Sequence, residues 1–204
     1  MIKVGVNIGL WVLAFGLMHS LTAAAFFKAW IQKMVGEKIY QGWYRAFYNL
    51  LSLVAIAPLF YFLTGDSIVL WHTTGITALL FSLVRIIGLI GGLYAIAQID
   101  WLAFIGIRQI RVYFRNVSYS EKKEELVTTG LYKVSRHPLY FFSLLYIWFA
   151  PSMSASWFFF SLGATIYFLV GSYLEERKML GLFGEQYKTY QQDVAWLIPF
   201  LKLP

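Results

Sequence analysis

The chain has 204 residues, of which 59% are hydrophobic and only 13% are charged, and its formal net charge is +7. Soluble domains carry about 25% charged residues, so this composition excludes an ordinary soluble protein and predicts a polytopic membrane protein. The absence of cysteine excludes disulfides, thiolate metal ligands and a cysteine nucleophile, and three scattered histidines predict no metal site.

Hydrophobic runs predict five membrane-spanning segments. They are Val4 to Phe27, Tyr44 to Leu63, Gly75 to Ile99, Pro138 to Ala150 and Ser156 to Leu174. The fourth is shorter than the roughly 20 apolar residues that a full crossing takes. Beyond the fifth, the pattern predicts an interfacial amphipathic helix that is interrupted near Gly181 or Gly184. A tail that Trp196 and Phe200 anchor at the membrane follows it.

The loops between these spans differ in charge, and the difference predicts the topology. Residues 28–45 and 100–136 are basic loops, whereas the loop 64–74 contains Asp66 and neither Lys nor Arg. Basic loops stay in the cytoplasm, so we expect the N-terminus outside and the C-terminus in the cytoplasm, at the inner membrane if the protein is bacterial. The net charge therefore reflects cytoplasmic loops and does not indicate nucleic-acid binding.

One polar stretch, Leu126 to Tyr140 (LVTTGLYKVSRHPLY), runs directly into the fourth hydrophobic segment. Proline suits the first position of a helix, so a helix start is expected at about His137 or Pro138. The unpaired amides of that helix end, with Arg136 beside them, form a site for a carboxylate or phosphate. About thirty-five residues later, Glu175-Glu176-Arg177 brings carboxylates to the same membrane surface. An anion site that faces a cation site suits a zwitterion.

S-adenosylmethionine is a zwitterion that fits this pattern. Its carboxylate would meet the amides at the helix start, and its ammonium would pair with Glu175. Its sulfonium would meet the aromatic faces beside the helix start, and its adenine the extended backbone before the turn. The residues that these contacts assign to cofactor binding are Leu126, Val127, Tyr132, His137, Pro138, Tyr140, Glu175 and Glu176. Because neighbouring residues on a helix point about 100° apart, one glutamate is expected to face solvent, and we predict that Glu175 is the buried one.

Arg136 and His19 are the candidate catalytic residues. An alternative for Arg136 is a helix start at the membrane border, where its guanidinium faces lipid phosphates. His19 lies in the first span, where polar side chains more often bridge helices than act as bases. Arg85 lies within the third span, and we expect it to form a structural pair or to reach for the membrane surface. Close helix packing is the role predicted for the small residues Gly88, Gly91 and Gly92.

The runs LVTTGLYKVSRHPLY, EER and FGEQYKTYQQDVAWLIP, within about residues 98–200, resemble the isoprenylcysteine carboxyl methyltransferase and phospholipid methyltransferase superfamily. There, a Gly-x-Tyr turn, an Arg-His-Pro-x-Tyr helix start and a Glu-Glu pair bind S-adenosylmethionine, so the resemblance implies the same cofactor and contacts here. A bacterial subgroup that holds methanethiol S-methyltransferases and a denitrification-associated membrane family is similar at Gly106–Gln109, Trp148–Ser154 and Met18–Leu21. Prenylcysteine enzymes carry an arginine about a turn before the glutamate pair, where this chain has Gly171–Tyr173. That departure favours a small or neutral acceptor.

We therefore expect an all-α integral membrane protein with about five transmembrane helices, a cytoplasmic cofactor-binding loop and a C-terminal interfacial helix. Residues 1–99 would form a three-span region and residues 100–204 the methyltransferase region. The expected function is methyl transfer from S-adenosylmethionine to a small thiol, with methanethiol first, or to a prenyl or lipid acceptor that enters from the bilayer. The alternatives are a prenylcysteine-type carboxyl methyltransferase and a non-catalytic membrane accessory protein of respiratory metabolism.

Overall fold

The computed structural model describes residues 1–64, 68–115 and 125–202, apart from the side chain of Phe62. Its helices are α1 (Ile2–Ala23), α2 (Ala25–Val35), α3 (Glu37–Thr64), α4 (Gly75–Ala97), α5 (Trp101–Phe104), α6 (Ile107–Phe114), α7 (Pro138–Trp148), α8 (Ala155–Phe183) and α9 (Glu185–Asp193). A 3-10 turn covers Gly130–Lys133, and two short strands, β1 (Val69–His72) and β2 (Ser152–Ser154), pair antiparallel. The predicted loop residues Asp66, Lys122 and Lys123 lie outside the described ranges.

Within those ranges, three helices are long and apolar enough to cross a membrane, namely α1, α4 and α8. Helix α7 is apolar but has only 11 residues, which is about 16 Å at 1.5 Å per residue. Helix α3 contains Pro58 in its interior. The predicted helical membrane fold is confirmed at this level, and the number of five spans stays a prediction.

The basic segment 28–45 is helical and not a loop, and this part of the sequence-based expectation was wrong. Residues 28–45 belong to α2 and to the first part of α3, which are separated at Gly36 with a φ of 84°. The α2 sequence AFFKAWIQKMV contains no glycine or proline and several good helix formers, so nothing within it ends a helix. Residues 100–136 likewise contain α5, α6 and the 3-10 turn. Charge marked both segments as polar but does not separate a loop from a helix.

Helix α8 continues from Leu174 to Phe183, so the helix predicted beyond the fifth span is continuous with that span. The charged residues that end the apolar run are good helix formers, so the helix persists after it leaves the apolar region. It ends at Gly184, whose φ is 54°, and the predicted interruption near Gly181 or Gly184 therefore falls at Gly184. Between the fourth and fifth predicted spans, Ser152–Ser154 form β2, a strand that the all-helical prediction missed. Its pairing with β1 satisfies backbone groups that apolar surroundings would leave without partners.

The chain divides into two compact units. The first comprises Met1–Gly5, Asp66–Ile99 and Glu125–Pro204, and the second comprises Val6–Gly65 and Asp100–Glu124. In the second unit, α3 packs against α6, and the Arg45 and Asn49 side chains both donate to the Phe104 carbonyl, at 2.9 and 2.8 Å.

In the first unit, α4 packs closely on α7 through its glycines. A Cβ on Gly88 would lie 2.7 Å from the backbone nitrogen of Tyr146, and one on Gly91 would lie 2.3 Å from the Phe142 ring. The prediction that this glycine run serves helix packing is confirmed. Near it, the Arg85 guanidinium carbon lies 4.5 Å from the centre of the Tyr146 ring, a distance at which a cation is attracted to an aromatic face.

Candidate functional site

The stretch that the sequence singled out contains a tight turn and a helix start. Gly130 has a φ of 59°, which suits glycine, and begins the 3-10 turn that carries Tyr132. Pro138 is the first residue of α7, so the predicted helix start is confirmed. Leu126 and Val127 precede the turn in backbone without regular structure, and both are half-buried.

The C-terminal segment is hydrogen-bonded along this stretch, which the sequence did not predict. The backbone amide of Arg136 donates to the Ala195 carbonyl at 2.8 Å, and that of His137 donates to the Trp196 carbonyl at 3.2 Å. The buried Ser135 hydroxyl donates to the carbonyl of Leu197 at 2.8 Å. The tail therefore fixes the position of the helix start. The amide of His137, which was expected to meet an anion, has an acceptor in the protein itself.

Glu176 is the more buried of the two adjacent carboxylates. Its side chain is 13% exposed, whereas that of Glu175 is 41% exposed, so the prediction that Glu175 is the buried one was wrong. The Glu176 oxygens accept from Arg136 Nε at 2.6 Å and from Gln191 Nε2 at 2.8 Å, and His137 Nε2 lies 3.3 Å away. Helix rotation separates the two side chains as expected. The contacts that decide which one is covered come from α9 and the helix start, far away along the chain.

Arg136 is fully engaged within the protein. Besides its pair with Glu176, its Nη1 donates to the carbonyls of Gln191 and Val194, at 2.8 and 2.6 Å. These carbonyls lie at the C-terminal end of α9, where the helix dipole favours a cation. The guanidinium therefore joins the helix start, α8 and α9, and its charge is balanced by Glu176.

Glu175 presents an open carboxylate next to aromatic rings. Its Oε2 accepts from the Tyr140 hydroxyl at 3.1 Å and lies 3.6 Å from Nδ1 of His137. The Tyr140 ring stacks between His137 and Phe168, with ring centres 5.5 and 5.0 Å away. Burial and the charge of Glu175 raise the pKa of Tyr132 to about 12, so its hydroxyl stays neutral beside the carboxylate. A half-exposed carboxylate bordered by aromatic faces is suited to a cation.

A small cluster of buried side chains packs next to this site. Tyr187, Tyr190 and Val194 are buried together, and Leu126 packs against them. The Tyr190 hydroxyl donates to the carbonyl of Tyr132 at 2.5 Å. This cluster thus joins α9 to the turn, and burial raises the pKa of the Tyr190 hydroxyl above its usual range.

His19, the other catalytic candidate, lies in the second unit and bridges α1 and α3. The Ser52 hydroxyl donates to the Tyr48 carbonyl, so Ser52 Oγ accepts from His19 Nδ1–H at 2.9 Å. In the neutral ring, Nε2 then accepts from the Tyr48 hydroxyl at 2.5 Å. This arrangement matches the interhelical hydrogen bonding considered for His19, and its catalytic role stays a prediction.

Comparison with known proteins places these motifs among methyltransferases. A family model described as phospholipid methyltransferase matches residues 87–186. The chain is 34% identical to methanethiol S-methyltransferase 2 of Bradyrhizobium diazoefficiens, and the match covers 92% of this chain and 70% of the relative. It is 30% identical to methanethiol S-methyltransferase of Crocosphaera subtropica, and that match covers 92% of this chain and 71% of the relative. It is 28% identical to protein-S-isoprenylcysteine O-methyltransferase of Tribolium castaneum, and this match covers 52% of this chain and 44% of the relative. No solved structure matches it.

Proposed function

This chain belongs to the phospholipid methyltransferase family, and on that basis we propose that it is a membrane methyltransferase that uses S-adenosylmethionine and methylates a small thiol. The relatives that match more than nine-tenths of the chain are methanethiol S-methyltransferases, which supports a thiol as the acceptor. S-adenosylmethionine supplies a methyl group activated on a sulfonium. The side chains of this protein bind the cofactor and the acceptor, orient them for transfer, and exclude water from the site.

The observation that carries the proposal is the open carboxylate of Glu175 beside the Tyr140 hydroxyl. Glu175 receives the ammonium of the cofactor, and the faces of Tyr132 and Tyr140 border the sulfonium, because aromatic faces attract cations. The amides of Leu139 and Tyr140, in the first turn of α7, have no intrahelical acceptor and suit the carboxylate. The backbone at Leu126 and Val127 receives the adenine. His137 and Pro138 shape the helix start.

Arg136 and Glu176 hold this site together and do not touch the reacting atoms. Their pair is nearly buried, and every nitrogen of Arg136 has an acceptor in the protein. We assign Arg136 a positioning role on this ground, although the sequence suggested it as a catalytic candidate. Methyl transfer to a thiol forms its new carbon–sulfur bond as the sulfonium bond breaks, and the thiol proton passes to solvent. The resulting thiolate needs little further acid–base help from the protein, so alignment is the main requirement.

The relation to a protein-S-isoprenylcysteine O-methyltransferase supports a second candidate acceptor, a prenylated cysteine that enters from the bilayer. Where the prenylcysteine enzymes carry an arginine, this chain has Gly171 and the buried Ser172. Neither residue offers a cation for a substrate carboxylate, which favours the small thiol.

The proposal places the site at the cytoplasmic face. Five spans, formed by α1, α3, α4, α7 and α8, would put the N-terminus outside and the C-terminus inside, in agreement with the charge bias of the segments between the spans. Residues 100–204 would then supply the methyltransferase motifs and residues 1–99 a three-span support.

Two measurements on the detergent-purified protein test the proposal. Labelled S-adenosylmethionine is expected to bind, and unlabelled S-adenosylhomocysteine to displace it. Absence of binding would leave the non-catalytic accessory role as the better description. Methyl transfer is then measured with methanethiol, a prenylcysteine analogue and a phospholipid. Transfer to the prenylcysteine analogue alone would contradict the thiol assignment but leave the cofactor assignment intact.

A further inference from the structure

The turn that carries Tyr132 is held by a side chain from another helix. Gln98 is the residue after the last turn of α4, and its Oε1 accepts a hydrogen bond from the backbone amide of Leu131 at 2.8 Å. Its Nε2 donates to the carbonyl of Tyr94 at 3.3 Å, one turn back in α4. The two bonds fix both ends of the side-chain amide, so its carbonyl oxygen is aimed at the turn.

Gly130 shows how closely the two segments meet. A Cβ at position 130 would lie 1.9 Å from Gln98 Oε1, well inside the contact distance of the two atoms. The φ of 59° at Gly130 is also one that side chains rarely adopt. Two independent constraints, the backbone conformation and the approach of Gln98, therefore require glycine here.

The turn connects the residue that Gln98 holds, Leu131, to the candidate site. Tyr132 follows Leu131 directly, and its carbonyl accepts from the Tyr190 hydroxyl at 2.5 Å. Gln98 thus holds the turn from α4, and Tyr190 holds it from α9. Burial and the charge of Glu175 both raise the pKa of the Tyr132 hydroxyl, in agreement with a position of this side chain near Glu175.

We propose that Gln98 is a positioning residue that sets the turn at Gly130–Lys133, so that Tyr132 borders the cofactor beside Glu175. This inference rests on the proposed function of the site. Gln98 does not touch the reacting atoms and acts through the amide of Leu131. Its side chain is therefore expected to control affinity for the cofactor and not the rate of the chemical step.

Paired substitutions separate this role from a general loss of stability. Gln98→Met removes the acceptor but keeps the length of the side chain, whereas Gln98→Glu keeps an oxygen that accepts from Leu131. Affinity for S-adenosylmethionine, measured by titration calorimetry without an acceptor, is expected to fall about tenfold in Gln98→Met, the loss that one neutral hydrogen bond predicts. It is expected to stay within about twofold of the wild type in Gln98→Glu. Gln41→Met is the control, because Gln41 bonds to the Glu37 side chain on α3.

Kinetics and hydrogen exchange complete the test. In Gln98→Met, KM for S-adenosylmethionine is expected to rise while kcat stays near the wild-type value, and the Leu131 amide is expected to lose protection in the ligand-free protein. If Gln98→Met does not fold, Gln98→Asn replaces it, because the shorter side chain withdraws the oxygen from the turn. Wild-type affinity in the folded Met or Asn variant, or equal losses in the Met and Glu variants, would overturn the inference. A wild type that binds no S-adenosylmethionine would instead overturn the proposed function.

Discussion

Removing the charge of each of the two adjacent glutamates on α8 is expected to affect a different property, cofactor binding for Glu175 and stability for Glu176. Glu175→Gln removes the carboxylate that we assign to the ammonium of the cofactor. Its side chain is 41% exposed and its partners are the Tyr140 hydroxyl and His137, so the protein loses little stability. Glu176→Gln leaves the guanidinium of Arg136, which is 10% exposed, without its counter-charge.

The structure sets the size of both effects. An ammonium–carboxylate hydrogen bond at a half-exposed site contributes about 1 to 2 kcal/mol, so Glu175→Gln is expected to weaken cofactor binding by about five- to thirtyfold. Removing one partner of a buried ion pair costs about 3 kcal/mol, and Glu176→Gln is therefore expected to lower the thermal midpoint by several degrees.

Titration calorimetry with S-adenosylmethionine and thermal unfolding in the same detergent measure the two quantities. Glu185→Gln on α9 is the matched control, because its side chain is 84% exposed and pairs with Lys188 on the surface. The assignment fails if Glu175→Gln binds as tightly as the wild type, or if it destabilises the protein more than Glu176→Gln does.

Three further predictions concern the same unit. Tyr140→Phe removes the donor to Glu175 but keeps both ring stacks, so cofactor affinity is expected to fall about three- to tenfold in titration calorimetry without a change in the thermal midpoint. The pKa of Tyr132 is raised from 10.0 to about 12, so the folded state holds its proton longer than the unfolded chain. The contribution of this group to the free energy of unfolding is complete below pH 10 and is lost as the pH rises to about 12. In unfolding scans at several pH values, Tyr132→Phe should reduce the loss of stability between pH 10 and about 12, and an unchanged loss would contradict this. Gly88→Val forces a side chain into the Tyr146 backbone and is expected to cost more than 2 kcal/mol in thermal unfolding, whereas Gly181→Ala, with open space around it, should cost nothing.

The sequence predicted the helix start at Pro138 correctly because the determinants are local. Proline fixes φ and lacks an amide, so its place at the start of a helix follows from the residue itself. The interruption at Gly184 follows from glycine in the same way. Packing of α4 through its glycines was also predictable, since small residues at helical spacing have few other uses in a membrane helix.

The parts that the sequence did not predict depend on contacts between distant segments. Glu176 is buried by Arg136 and Gln191, which lie 40 residues before it and 15 residues after it. The bonds from the helix start to Ala195 and Trp196 are made by backbone groups, which leave no pattern of side chains to read. Gln98 lies at the end of a hydrophobic run, where a single glutamine does not indicate which backbone group, if any, it will bind.

The charges of the site also bear on the order of events in the proposed reaction. Glu176 balances Arg136, so Glu175 remains as one negative charge at the open side of the site. S-adenosylmethionine has an ammonium, a sulfonium and a carboxylate, and therefore a net charge that Glu175 can balance. Its demethylated product has lost the sulfonium charge, so the attraction to Glu175 and to the faces of Tyr132 and Tyr140 weakens once the methyl group has left. The Glu175 carboxylate would therefore hold the substrate more tightly than the product.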